Sequence, residues 1–190
     1  MSTLEVIAQR RSIRRFRDTP VPRELIEQVL LAGTQAPSAK NRQPWRFFVV
    51  QGDKRAEMVA AMRQGIEKLK GYGVHPGSSE NTARIMARAP VTILVYNPDR
   101  EWKAPAEPID MIMETMDTQS IGAAIQNMCL AAVELGLGTL WIGDTTYALE
   151  ELNAWLGDGS QMVAALSLGY PDESPSARPR KSVSEVTTWL

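Results

Sequence analysis

IGAAIQNMCLAAVELGLGTLWIG, residues 121–143, passes from a helical pattern into an extended one, and that order decides the fold class. Up to Leu135 the run is rich in Ala and apolar over much of its circumference, the mark of a helix buried against other helices. Gly136 suits the residue that stops such a helix. Residues 139–142 (TLWI) then read as a strand. A dinucleotide-binding loop needs the reverse order, strand before glycines before helix, so the glycines here do not form one.

Working outward from this stretch, RFFVV (46–50), VTILVY (91–96) and 163–168 supply three more strands. Helical patterns are expected from Thr3 as cap to about Arg10, from Val21-Pro22 to about Gly33, over 53–70, over 109–135 and over 147–156. GYGVHPGSS is a loop, and 182–190 a short helix or an arm. Four strands among five or more helices, without a regular strand-helix repeat, point to a mixed α/β or α+β fold in one domain, 1–190. P-loop, zincin and GxSxG motifs are missing from the sequence, as are internal repeats.

Composition narrows the function. With 190 residues, 44% of them hydrophobic and 23% charged, the chain can bury a substantial core. Its formal net charge of -1 lacks the broad basic field that nucleic acid requires. One cysteine, Cys129, and one histidine, His75, exclude a disulfide framework and a multi-histidine metal centre within the chain. MSTLEVIAQRRSIRRF lacks the apolar run of a signal peptide, and no stretch reaches the roughly 18 apolar residues of a membrane span, so the expected compartment is the cytoplasm.

Against that neutral background two arginine clusters stand out, RRSIRRF (10–16) and RPRK (178–181). Guanidinium groups match oxyanions in geometry as well as charge, so together the clusters suggest a phosphate site for a discrete small molecule. APSAKNRQPWRFFVV (36–50) is the second signal. A polar loop stiffened by Pro37 and Pro44 offers Ser38, Asn41 and Gln43 to the edge of a heteroaromatic ring, with Trp45 able to pack beneath it.

RRSIRRF, APSAKNRQPW, GLGTLWIG and the terminal GYPDESP followed by RPRKS, in this order over nearly the whole length, resemble the flavin-dependent nitroreductase superfamily. The resemblance implies an α+β fold with a central mixed, mainly antiparallel sheet flanked by helices in three layers. It also implies a homodimer holding two FMN molecules at the subunit interface. Carried over by position, Arg10 and Ser12 are expected near the FMN phosphate, Arg14 nearer the ribityl chain or ring, and Arg11 through its backbone. Arg178 and Arg180 match the basic pair that closes on the same phosphate. Pro37, Ser38 and Asn41 match the loop that reaches the flavin of the other subunit. Trp141, Ile142 and Gly143 match the stretch along the isoalloxazine edge, where a backbone N–H faces N5. Gln64 and Lys68 are candidates for the pyrimidine edge.

The absence of paired carboxylates, a Cys/His couple or spaced metal ligands in the sequence leaves the hard chemistry to the cofactor. No catalytic side chain is therefore named; flavin N5 carries the chemistry. The implied cycle is ping-pong: NAD(P)H gives hydride and leaves, then a nitroaromatic, quinone or other small acceptor takes two electrons. A specialised reductive dehalogenase or flavin-modifying relative, a flavin sensor or store without turnover, and a phosphate- or nucleic-acid-binding module are the alternatives. His75 reads as a surface residue, Cys129 as core, and Met111, Met113, Met116 and Met128 as core filler. The segments 71–79 and 100–108, where this superfamily inserts its active-site cover, are short here, with Trp102 a possible small lid.

Overall fold

Four strands form one sheet in the computed structural model, which describes residues 1–102 and 107–190. They are β1 (Arg46–Val50), β2 (Val91–Glu101), β3 (Gly138–Ile142) and β4 (Ser160–Gly169), in the spatial order β1-β2-β4-β3. All three pairings are antiparallel. The parallel part of the expected mixed sheet is reduced to a single bridge between Ser12 and Thr139. The helices are α1 (Thr3–Gln9), α2 (Arg23–Thr34), α3 (Asp53–Gly71), α4 (Ser79–Arg88), α5 (Pro108–Glu134), α6 (Leu149–Leu156) and α7 (Val183–Val186).

Side chains alternate across the strands and divide the core in two. On one face Phe48, Leu94, Tyr96, Leu140 and Ala165 pack with Met58 and Met62 of α3, Met86 of α4 and Leu152 of α6. On the other, Phe47, Ile93, Val95 and Leu166 meet Ile26 and Val29 of α2 and Ile121, Ile125 and Met128 of α5. The result is the expected helix-sheet-helix layering. Among the described residues no helix is long and apolar enough to cross a membrane.

Local chemistry sets the helix ends. Ser2 caps α1 in place of Thr3, because Glu5 three positions on closes a reciprocal box: Ser2 Oγ accepts the Glu5 N–H at 3.3 Å and the Glu5 carboxylate accepts the Ser2 N–H at 2.7 Å. Helix α2 runs one residue past Gly33, which lies inside the helix where Met128 approaches closely. Helix α5 stops as expected: Gly136 has φ 73°, and the Leu137 N–H returns to the Ala132 carbonyl at 2.7 Å. Helix α4 follows the 72–78 loop without having been anticipated.

Burial along α5 is uneven, and its apolar part is covered as expected. Ile121, Ala124, Ile125, Met128 and Ala132 are fully buried within the chain, Met128 as core filler and Cys129 as core. The uncovered apolar side chains lie at the other end of the helix, on Ile109, Met111, Ile112 and Met116. Met111 and Met116 are therefore exposed, not core filler.

Candidate functional site

Residues 10–17 leave α1 as an extended segment stitched at both ends to the sheet. Ile13 donates its N–H to the Thr139 carbonyl at 2.8 Å beside the Ser12–Thr139 bridge, covering the outer edge of β3. Ile13 sits over Gly138 so closely that a Cβ there would lie 2.7 Å from Ile13 Cγ1. Further on, Phe16 bridges Pro171, Arg17 N–H bonds the Tyr170 carbonyl and Asp172 N–H bonds the Arg15 carbonyl, the last two both at 2.9 Å. The Glu173 carboxylate accepts the backbone N–H groups of Arg14 and Arg15. Ile13 and Phe16 enter the core, and the polar side chains are left on the outside.

This stitching brings the two arginine clusters together. Arg10, Arg11, Ser12, Arg14, Arg178 and Arg180 line one cleft of about 380 Å³. Among the described residues, none of its five guanidinium groups has a carboxylate within 4.0 Å, whereas that of the neighbouring Arg15 takes Glu173 at 3.4 Å. Arg11 instead donates to the carbonyls of Ala8 and Arg10 at 2.7 and 2.9 Å, Arg14 to that of Ser12 at 3.2 Å, and Arg180 to those of Arg178 and Pro179 at 3.3 and 3.1 Å. Five cations lining one concavity without a paired anion make it strongly positive and suited to a multiply charged oxyanion. Nearby, burial pushes the Cys129 thiol up, opposed by a hydrogen bond from Thr139 and by the charge of Arg10. An inert core thiol fits these surroundings.

The 139–143 stretch runs away from this cleft along the edge of the sheet. Trp141 is exposed on β3 with its ring near Gly122 of α5, Ile142 is buried, and the exposed Gly143 opens a 3₁₀ turn, Asp144–Ala148. Asp144 fastens that turn, accepting hydroxyl bonds from Ser78 at 2.9 Å and Thr82 at 2.8 Å.

The 36–45 loop does not join the arginine cleft within the chain. Pro37 and Asn41 are exposed, while Ser38 is half-buried and its hydroxyl accepts the Gln43 N–H at 3.0 Å. Gln64 and Lys68 also lie elsewhere, in a groove between α3 and α6. There Lys68 pairs with Glu150 and Glu151, whose hydrogen bonds raise its pKa to about 12. Neither residue lines the arginine cleft of its own chain. Trp102 is exposed and His75 accepts the Gly77 N–H at 3.1 Å on the surface; residues 103–106 of the proposed cover lie outside the described residues.

Sequence reasoning missed three fastenings: Glu173 on the arginine segment, Asp144 on the 143–148 turn, and Arg42, which bonds the buried Asp117. Only Glu173 had a visible signal, a carboxylate in GYPDESP shortly before the second arginine cluster.

Comparison with known proteins gives a consistent result. The sequence model of the Nitroreductase family matches residues 7–170. A Methanothermobacter thermautotrophicus protein assigned as an NADH dehydrogenase/NAD(P)H nitroreductase is 33% identical, over 94% of this chain and 82% of that protein. Chloronitrobenzene nitroreductase of Comamonas testosteroni is 30% identical, over 98% of this chain and 96% of its own. That alignment runs over 220 positions, more than the 190 residues here, so the Comamonas enzyme carries insertions that this chain lacks. A crystal structure from Desulfovibrio desulfuricans, of a protein assigned as a nitroreductase and solved in complex with FMN, superposes with a TM-score of 0.79 at 31% identity. It covers 100% of this chain and 97% of that one.

Proposed function

Because this chain belongs to the nitroreductase family, an oxidoreductase family, we propose that it is an FMN-dependent NAD(P)H oxidoreductase working as a cytoplasmic homodimer, with residues 1–190 as one FMN-binding domain. The observation that carries this reading is the carboxylate-free arginine cleft at one end of β3, with Trp141–Gly143 at the other. Three residue steps from Thr139 to Ile142 span roughly 10 Å, a reach that suits a ligand with a phosphate at one end and a planar ring at the other.

In this reading Arg10, Ser12, Arg178 and Arg180 hold the phosphate, Arg11 adds its backbone and Arg14 faces the ribityl chain or ring. Trp141, Ile142 and Gly143 lie along the ring edge, and Pro37, Ser38 and Asn41 serve the site of the other subunit. When bound, FMN supplies a hydride acceptor and a two-electron donor, so that NAD(P)H and a small acceptor such as a nitroaromatic or quinone react in turn at one place. The chain's own task is to bind, orient and partly dry that place, where the charge of Arg14 would favour an anionic reduced ring.

The dimer is supported by uncovered apolar side chains: Leu4 and Ile7 of α1, Ile109, Met111, Ile112 and Met116 at the start of α5, and Val183, Val186 and Trp189 near the C-terminus. Of these, Ile109, Ile112 and Met116 fall at i, i+3 and i+7 on one side of α5, the spacing of an apolar patch suited to an interface.

The test is an absorbance spectrum of the purified protein before and after anaerobic NADH or NADPH. Flavin bands that bleach support the enzyme. Bands that persist make it a flavin-binding protein with another reductant or none, and no bands even with added FMN overturn the assignment.

A further inference from the structure

Lys40, Asn41 and Gln43 have φ of 53°, 54° and 50°, so three residues other than glycine hold the left-handed region within four positions. L side chains adopt that region at a cost, and such a turn persists only where its surroundings over-determine it. Part of the frame is made of neutral hydrogen bonds. The Ser38 carbonyl accepts the Asn41 N–H at 3.0 Å, Ser38 Oγ accepts the Gln43 N–H at 3.0 Å, and Ser120 Oγ of α5 accepts the Ala39 N–H at 3.3 Å.

Arg42 makes the loop's only ion pairs among the described residues. Its Nε donates to Asp117 Oδ1 at 3.2 Å, and its Nη2 to Asp117 Oδ2 at 3.4 Å and Asp99 Oδ2 at 3.2 Å. The Asp117 side chain has 0% exposure, and its other side-chain partner among the described residues is Asn97 Nδ2 at 3.5 Å. Arg42 is thus the counter-charge of a buried carboxylate on α5, gripped by two points of a planar fork. It stands between Asn41 and Gln43. Anchoring it ties one side chain of the exposed turn to α5, with Lys40, Asn41 and Gln43 exposed on either side of it.

We propose that Arg42 is a positioning residue: locked to Asp117, it holds the left-handed turn that presents Asn41 to the flavin site of the other subunit. The inference rests on the FMN reading above. Arg42 touches no reacting atom in this scheme and acts through its neighbour.

The experiment measures FMN affinity and the thermal midpoint of the homodimer for wild type, Arg42→Met, Arg42→Lys and the double variant Arg42→Met/Asp117→Asn. Arg42→Met alone leaves a buried carboxylate without its counter-charge, so both readouts should fall. The double variant removes that charge and should recover most of the thermal midpoint, yet its FMN affinity should stay roughly 10-fold or more below wild type. Wild-type affinity in the double variant overturns the proposal, since Arg42 would then serve stability alone. If the double variant does not fold, Arg42→Lys decides, because it keeps the charge and loses the fork. About threefold weaker FMN binding at an unchanged midpoint supports the role, and wild-type affinity overturns it. Wild type that binds no FMN overturns the functional reading itself, an outcome visible before any variant is made.

Discussion

Glu173 accepts the backbone N–H of Arg15 at 3.0 Å, and with it that of Arg14, so one carboxylate from the C-terminal segment fixes the spine of the N-terminal arginine run. Its side chain is only 18% exposed, which strengthens both bonds. Glu173→Ala should cost about 2 kcal/mol of stability, the scale of hydrogen bonds to a charged group. It should also weaken FMN binding although Glu173 carries the wrong sign to touch a phosphate. Urea unfolding and flavin titration of the same preparation check both, and unchanged FMN affinity would show that the cleft keeps its shape without this fastening.

Arg10 and Arg180 approach the cleft from opposite ends of the chain and have no carboxylate of their own. Each Arg→Ala should therefore cost FMN roughly 10-fold or more in affinity, the scale of a charge-assisted hydrogen bond to an oxyanion. Riboflavin, which lacks the phosphate, should bind almost equally to wild type and double variant. A double variant that still binds FMN like wild type would separate the arginine cleft from the flavin.

Much of this architecture is written locally, and what is not depends on distant partners. Strand β1 is legible because Pro44 and Gly52 bracket an apolar run, and the end of α5 because Gly136 follows the last helical turn. Helix α4 is hard to see: SENTARIMAR is mostly polar, and its buried face of Thr82, Ala83, Ile85 and Met86 follows a glycine-rich loop that reads as continuing. The length of α5 was plain from composition, but not which half was covered, since a helix apolar all round does not say where its neighbours stop. In the site, residue types that recognise phosphate could be picked out directly. The contact that aligns them joins positions 158 apart in sequence, and Lys68 was drawn to Glu150 and Glu151 on a helix that no local pattern connects with it.

Gly138 and Ile13 form a close contact that tests the seating of the arginine segment. Because a Cβ on residue 138 would lie 2.7 Å from Ile13 Cγ1 and 3.0 Å from its Cβ, Gly138→Ala must displace either strand β3 or residues 12–14. Overpacking of this kind costs about 1–3 kcal/mol. Ile13→Ala should relieve part of it, so the double variant should be more stable than the sum of the single losses predicts. Strict additivity in denaturant unfolding would mean that the two residues do not meet.

Acid stability should depend on Asp158. The Ser160 hydroxyl and backbone N–H bond its carboxylate, Arg46 adds a salt bridge at 3.0 Å, and these outweigh burial to hold its pKa below the ordinary carboxylate value. A depressed folded-state pKa gives stability that is fully present above the unfolded value and is lost as pH falls through the folded one. The contribution therefore begins to fall near about pH 4 and is gone only below the depressed folded-state value. Asp158→Asn should be less stable than wild type at neutral pH, with the difference narrowing on acidification. A difference that stays constant from neutral to acid pH would assign the loss to packing instead.

If Asn41 serves the flavin site of the other subunit, as proposed, defects in Asn41 and Arg10 must complement. Homodimers of Asn41→Ala lack the loop contact at both sites, and homodimers of Arg10→Ala lack the phosphate contact at both. A mixed dimer brings both defects into one site, the one built on the Arg10→Ala cleft and the partner's Asn41→Ala loop, and leaves the other site intact. Co-refolded or co-expressed mixtures, with the two subunits separately tagged and purified through both tags, should hold about one tightly bound FMN per dimer. Their activity per dimer should be roughly half that of wild type, since binding at two well-separated sites is nearly additive. If the loop served its own chain, each subunit of the mixed dimer would carry one defect and neither site would be whole. FMN affinity in the mixed dimer as weak as in the two homodimers would move Pro37, Ser38 and Asn41 out of the shared site.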